Sequence, residues 1–168
     1  LPKVGLEDVP ARLPEYESEK VAGDLPVTFY PQGTNGLVYQ QLVVDLPELD
    51  AEEIEYLPLF SSMMTELGIG EADYLTVQER QAQVCGGLGA SNSIRATIKD
   101  RQDLNGYFIL SSKALVPNVK AMSELLKDTM LNVRFDEANR VKELVAQRRA
   151  RREQSITGQG HSLAMTAA

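Results

Sequence analysis

The chain has 168 residues, 43% hydrophobic and 24% charged, the balance of an ordinary globular protein with enough chain for one core. A net charge of −7 argues against a general affinity for nucleic acid or anionic membranes, which calls for a positive field. The single cysteine, Cys85, excludes an internal disulfide, and no run approaches the ~18 apolar residues of a membrane-spanning helix.

Residues 1–25 carry three prolines, scattered charge and no sustained period, and read as a lead-in or linker, with 26–168 as a single domain. Pro26–Tyr30 and Leu37–Asp45 are β-rich runs joined by residues 31–36. Asn35-Gly36 tolerates positive φ, so the pair is expected to form a hairpin. Both faces of the second run are partly apolar, the pattern of an interior strand.

Asp50 is the expected N-cap of a first helix, with Glu52 and Glu53 complementing its dipole. From Ile54 to Leu67 apolar residues occupy nearly every side, which predicts a helix buried all round. Pro58 predicts a kink or a broken turn, and Gly68 and Gly70 a stop. A second helix is expected over Tyr74–Val84, starting near Asp73. Two strands, Gly89–Ile98 and Gly106–Ala114, follow with a polar connection between them. Asn118 is the expected cap of a third helix with Val119, Met122, Leu125, Leu126, Thr129 and Met130 on its core stripe. Asp136 is the expected cap of a fourth, running towards Glu153. The tail from Thr157 holds an apolar run that begins another helix and is cut within it.

The order β-β-α-α-β-β-α-α predicts an α+β fold of two layers. Its antiparallel four-stranded sheet carries helices on one face.

Chemistry is sparse. Cys85 lies among apolar and glycine residues and reads as a small buried hydrophobe; the lone His161 reads as a loop or helix-start residue. Gly86-Gly-Leu-Gly-Ala-Ser91 lacks the Lys-Ser/Thr of a phosphate loop and leads into a strand, so it reads as a turn or bulge. Arg148-Arg-Ala-Arg-Arg152, with Arg140 and Lys142, reads as a solvated helix end without the interleaved aromatics of a nucleic-acid surface. Met63, Met64, Met122 and Met130 read as packing.

Several motifs in order resemble the pitrilysin or insulinase family of zinc metallopeptidases, and its presequence-protease branch in particular. They are Gly33-Thr-Asn-Gly-Leu-Val-Tyr39, Tyr56-Leu-Pro-Leu-Phe60, Glu66-Leu-Gly-Ile-Gly70, Asp73-Tyr74, Gly86–Ser91, Asn118–Asn132 and Val133-Arg-Phe-Asp-Glu137. The opening Leu1-Pro2 with Asp8-Val9-Pro10 resembles the entry from a linker between two halves. The resemblance implies four homologous α+β domains closing around a peptide chamber, the first carrying an H-x-x-E-H zinc motif. In this chain Pro58, Ser61 and Ser62 stand at the positions of the first His, the Glu and the second His. Proline offers neither ligand nor base, and a neutral hydroxyl is poor at both. A distal acidic ligand would fall near Glu137 or Glu143, which without the His pair read as surface carboxylates.

No catalytic, cofactor-binding or metal-binding residue is therefore assigned to this chain. The resemblance implies the non-catalytic third domain of a larger enzyme whose zinc is held in its catalytic domain. Its expected partners are the other domains of the same peptidase, and peptide substrate at the chamber wall, with no nucleic acid and no membrane. In the family the strand that follows Gly87 lies at a sheet edge facing the chamber, which implies peptide addition there. The alternatives are a free-standing interaction module and, less favoured for want of a constellation of acid, base and nucleophile, an independent enzyme.

Overall fold

The structure, a computed structural model, describes residues 5–10, 12, 15–21, 23–97 and 99–167. Leu1, Pro2, Ile98 and Ala168, used in the sequence reading, lie outside them. The chain divides into two compact units, residues 1–35 and 36–168.

In the first unit, Leu6–Asp8 forms a 3₁₀ turn closed by the Gly5 amide donating to Asp8 Oδ2 at 2.9 Å. Strand β1 (Glu19–Val21), inside the stretch read as a lead-in, pairs antiparallel with β2 (Val27–Phe29). No described residue of this unit is buried.

The second unit holds β3 (Leu37–Asp45), α1 (Ala51–Met64), α2 (Tyr74–Val84), β4 (Leu88–Ala96) and β5 (Leu104–Leu115). Helices α3 (Val119–Asn132), α4 (Ala138–Gly158) and α5 (Gly160–Ala167) follow. The class is α+β with antiparallel pairing, but the expected four-stranded sheet is not formed. The strands make a two-stranded sheet, β1-β2, and a three-stranded sheet ordered β3-β5-β4. The expected hairpin between 26–30 and 37–45 fails because Val27–Phe29 finds a nearer partner across a short connection, where loop closure costs least. Asn35 and Gly36 do take positive φ, 52° and 81°, but as the lead into β3. Strand β3 is an edge rather than an interior strand; its two-sided apolarity leaves Tyr39 and Val43 61% and 56% exposed.

The central strand is β5. Phe108, Leu110, Ser112 and Ala114 point one way along it and are buried; Tyr107, Ile109, Ser111 and Lys113 point the other way. The buried side meets Met64 of α1 with Met122 and Leu126 of α3, and Val38, Leu42, Leu88 and Ala90 complete this cluster from the flanking strands. Ile69, Val77 and Leu125 form a smaller core under α2. All four methionines read as packing fall in or against the core.

Helix α1 starts as expected: Asp50 Oδ1 accepts from the Glu53 amide and Glu53 Oε2 from the Asp50 amide, both at 2.9 Å. It runs unbroken through Pro58 and stops at Met64. It is not buried all round, since only Leu57, Ser61, Met63 and Met64 are enclosed while Ile54, Tyr56 and Phe60 remain exposed. The reason is position: α1 lies over β4, at the border of the sheet, so only one of its sides has strands beneath it. Helix α2 has the expected span, with Asp73 Oδ1 accepting from the Thr76 amide. Asn118 does not cap α3 through its side chain; its Nδ2 donates to the Val84 carbonyl at 3.2 Å. Helix α4 begins after Glu137, not Asp136, because the Asp136 carboxylate is taken by Arg134 at 3.1 Å.

Leu110→Ala, at the fully buried centre of β5, is expected to cost about 3 kcal/mol in chemical denaturation. Val43→Thr on the exposed side of the sheet should stay within about 0.5 kcal/mol.

Candidate functional site

The three positions at the zinc-motif register lie on successive faces of α1, and each is engaged by protein. Ser61 is buried and its Oγ accepts from Asn92 Nδ2 of β4 at 3.0 Å, which fastens the helix to the strand. Ser62 Oγ donates to its own helix at the Leu59 carbonyl, 2.7 Å away. It also accepts from Arg148 Nη1 of α4 at 3.0 Å, and the same nitrogen donates to the Pro58 carbonyl at 3.2 Å. A guanidinium thus bridges the two positions where a metal enzyme would place imidazoles.

Just past the end of α1 and two turns back on α4, a second arginine does similar work. Arg140, its side chain only 13% exposed, donates through Nη2 to Glu66 Oε2 at 2.9 Å and through Nε to the Glu66 carbonyl at 3.3 Å. Its guanidinium carbon stands 4.3 Å from the centre of the Tyr74 ring, a cation–π contact. Because Arg140 meets Glu66 and Arg148 meets Pro58 and Ser62, α4 runs antiparallel to α1, and the two arginines serve as its cross-links.

Glu137 is no ordinary surface carboxylate. Its Oε2 accepts from the Gly68 amide at 2.7 Å and its Oε1 from the Tyr74 amide at 3.3 Å, so it holds the turn between α1 and α2 against the start of α4. A Cβ on Gly68 would come within 2.5 Å of the Ala72 carbonyl oxygen and 3.0 Å of Glu137 Oε1, so only glycine fits there. The backbone adds Arg134 N to Gly68 O at 2.9 Å and Gly70 N to Asn132 O at 2.8 Å. Glu143 does sit at the surface, 3.5 Å from Arg140 Nη1.

Asp73 sits below the usual carboxylate range because its oxygens accept hydrogen bonds from the Thr76 backbone and side chain, with the Arg134 charge a smaller cause. Asp136 is held down by its hydrogen bond with Arg134, and Arg134 is raised in turn by Asp136.

Cys85 is half-buried, with its Sγ 3.4 Å from the Gln81 carbonyl, and His161 is exposed on α5. Among the described residues no three His, Cys, Asp or Glu side chains converge.

The donor set at Pro58, Ser61 and Ser62 does not fit Zn²⁺. It offers no imidazole, one hydroxyl is committed to Asn92, and the other faces a fixed positive charge that would repel a cation. The arginines are what sequence reasoning misses. By sequence Arg148 and Arg140 are solvated cations, yet their eight-residue spacing matches that of Pro58 and Glu66 on the facing segment.

The whole chain, residues 1–168, matches the family described as associated with subfamily C of the pitrilysin-type peptidases. The chain belongs to that peptidase-associated family. It is similar to a mitochondrial presequence protease of Danio rerio, 34% identical over 172 residues covering 100% of this chain and 16% of the relative. A mitochondrial presequence protease of Xenopus laevis is 31% identical, with 96% of this chain and 16% of the relative covered. A chloroplastic/mitochondrial presequence protease 1 of Arabidopsis thaliana is 25% identical, with 98% and 15% covered. The chain therefore spans about one-sixth of the length of these relatives. As a peptidase-associated segment it is a non-catalytic domain of a larger peptidase.

Arg140→Met should cost about 2 kcal/mol, since it strands the Glu66 carboxylate and removes the Tyr74 contact, and Arg148→Met about 1 kcal/mol, both read by denaturation. For pH, Asp73 has a folded pKa below its unfolded value of 3.8. Its contribution is complete above that value and fades as pH falls through the lower folded one. Asp73→Asn should therefore flatten the loss of Tm below pH of about 4.

Proposed function

We propose that this chain forms part of the wall of a peptide-degradation chamber in a zinc-dependent, pitrilysin-type peptidase, as its non-catalytic third domain. The zinc and the general base are carried by another domain, and the other domains of the same enzyme are this chain's partners. The observation that carries the reading is the fate of the zinc-motif register. Pro58, Ser61 and Ser62 keep their places on α1, but the chemistry has been exchanged for structure, with Asn92 and Arg148 as the partners.

The exposed apolar side of α1 supports the docking part of the reading. Phe60 stacks on Phe135 with ring centroids 5.4 Å apart and tilts against Phe108 at 5.8 Å. Tyr56 and Ile54 continue the same helix outward, 57% and 43% exposed. Aromatic groups of this kind, half-packed from within, suit a contact with a neighbouring domain better than bulk water.

In the full-length protein, chelation should abolish peptide hydrolysis and added Zn²⁺ should restore it. Tyr56→Lys should lower the Tm of the full-length protein by several degrees through the lost docking contact. Residues 1–168 alone should cleave nothing. Chelator-sensitive cleavage by residues 1–168 alone would overturn the proposal, as would full-length activity indifferent to chelation.

A further inference from the structure

The glycine-rich segment before β4 plays no part in the α1–α4 interface, yet it borders a groove on the exposed side of the three-stranded sheet. The groove encloses ≈ 340 Å³, and its lining includes Tyr39, Gln41, Gly87, Gly89, Ser111 and Lys113. The pairing explains why these residues meet. Tyr39 lies opposite Lys113, and Ser111 lies opposite both Gln41 and Gly89, so all five share one face across three strands.

The glycines shape it. Gly87 adopts φ 120°, which turns the chain into β4. A Cβ on Gly89 would approach Ser111 Oγ to 3.3 Å, so its absence leaves that hydroxyl open to the groove. Gly86 lets the stem of Lys113 lie against the backbone, where a Cβ would meet Lys113 Cε at 3.1 Å, and the Gly86 amide donates to the Lys113 carbonyl at 2.8 Å. The ammonium is thereby carried on a supported stem.

The electrostatics are one-sided. In a chain of net charge −7 the groove has no acidic residue in its lining, and among the described residues Lys113 has no ion-pair partner. Beside it stand the hydroxyl of Ser111 and the amide of Gln41, both able to donate to an anion, while Tyr39 offers an exposed ring.

We propose that this groove is a subsite for a carboxylate of an extended peptide, with Lys113 as counter-ion, Ser111 and Gln41 as further donors, and Tyr39 flanking the chain. It rests on the reading that this domain faces peptide. A terminal and a side-chain carboxylate share the chemistry, so the test separates them. The probes are short fluorescent peptides, N-methylated at alternate residues to resist cleavage, binding the intact holoenzyme by anisotropy. One has a free C-terminus and no Asp or Glu, one is amidated with a single Glu, and one is amidated with no acid.

The acid-free amide is expected to bind about fivefold more weakly than at least one carboxylate peptide. The stronger of the two identifies the source. Lys113→Met should erase that preference and Lys113→Arg should retain it, and both substitutions leave the buried core untouched. Gly89→Ala, which crowds Ser111, should reduce it. A preference that survives Lys113→Met, or none in the unaltered protein, overturns the subsite while leaving the peptide-facing reading in place. No binding of any probe overturns both.

Discussion

The second unit is organised around a carboxylate that receives two backbone amides. Glu137 closes the turn between α1 and α2 by accepting from Gly68 and Tyr74, and it does so from the residue that opens α4. Three helices therefore take their relative positions from one side chain. The bonds are charge-assisted and partly buried, so they outweigh the exposed pairs elsewhere, such as Arg149 with Glu153. Arg140 extends the same junction to Glu66 and the Tyr74 ring. With the turn held there, α1 is aimed over β4 and its methionines reach the core beneath.

This arrangement explains how a scaffold shared with metal enzymes persists without metal ligands. An interhelical metal would bring α1 and α4 together through a strong, directional bond. Here that task falls to guanidinium groups, whose several donors can grip a carboxylate, a hydroxyl and main-chain carbonyls together. The exchange is consistent in sign as well as geometry: a permanent cation stands where a divalent one would otherwise be drawn. Membership of the peptidase-associated family over the full chain agrees with that loss of chemistry.

The sheet shows a corresponding division of labour. On one side β5 presents Phe108, Leu110 and Ala114 to the helices; on the other the same strand presents a hydroxyl and an ammonium. Small residues on β4, chiefly Gly89, Ser91 and Ser93, keep that second side shallow near its border. The edge position of β3 and the outward aromatic groups of α1 point to surfaces that suit further protein more than solvent.

Local signals were sound wherever the partner lay nearby in sequence. Asp50 with Glu53 and Asp73 with Thr76 declared the starts of α1 and α2, and the stripe of Met122, Leu125, Leu126 and Thr129 declared the inner side of α3, because caps and helical periodicity involve residues three or four apart. The α+β class and the missing zinc chemistry were likewise legible, since one depends on element order and the other on residue type. Strand order, the edge placement of β3 and the separate β1–β2 pair were not, because pairing is chosen by competition among distant strands. Nor could the sequence tell that Glu137 would abandon the surface for Gly68, or that Arg148 would reach Ser62 across 86 residues; those contacts exist only once the packing has brought the helices side by side.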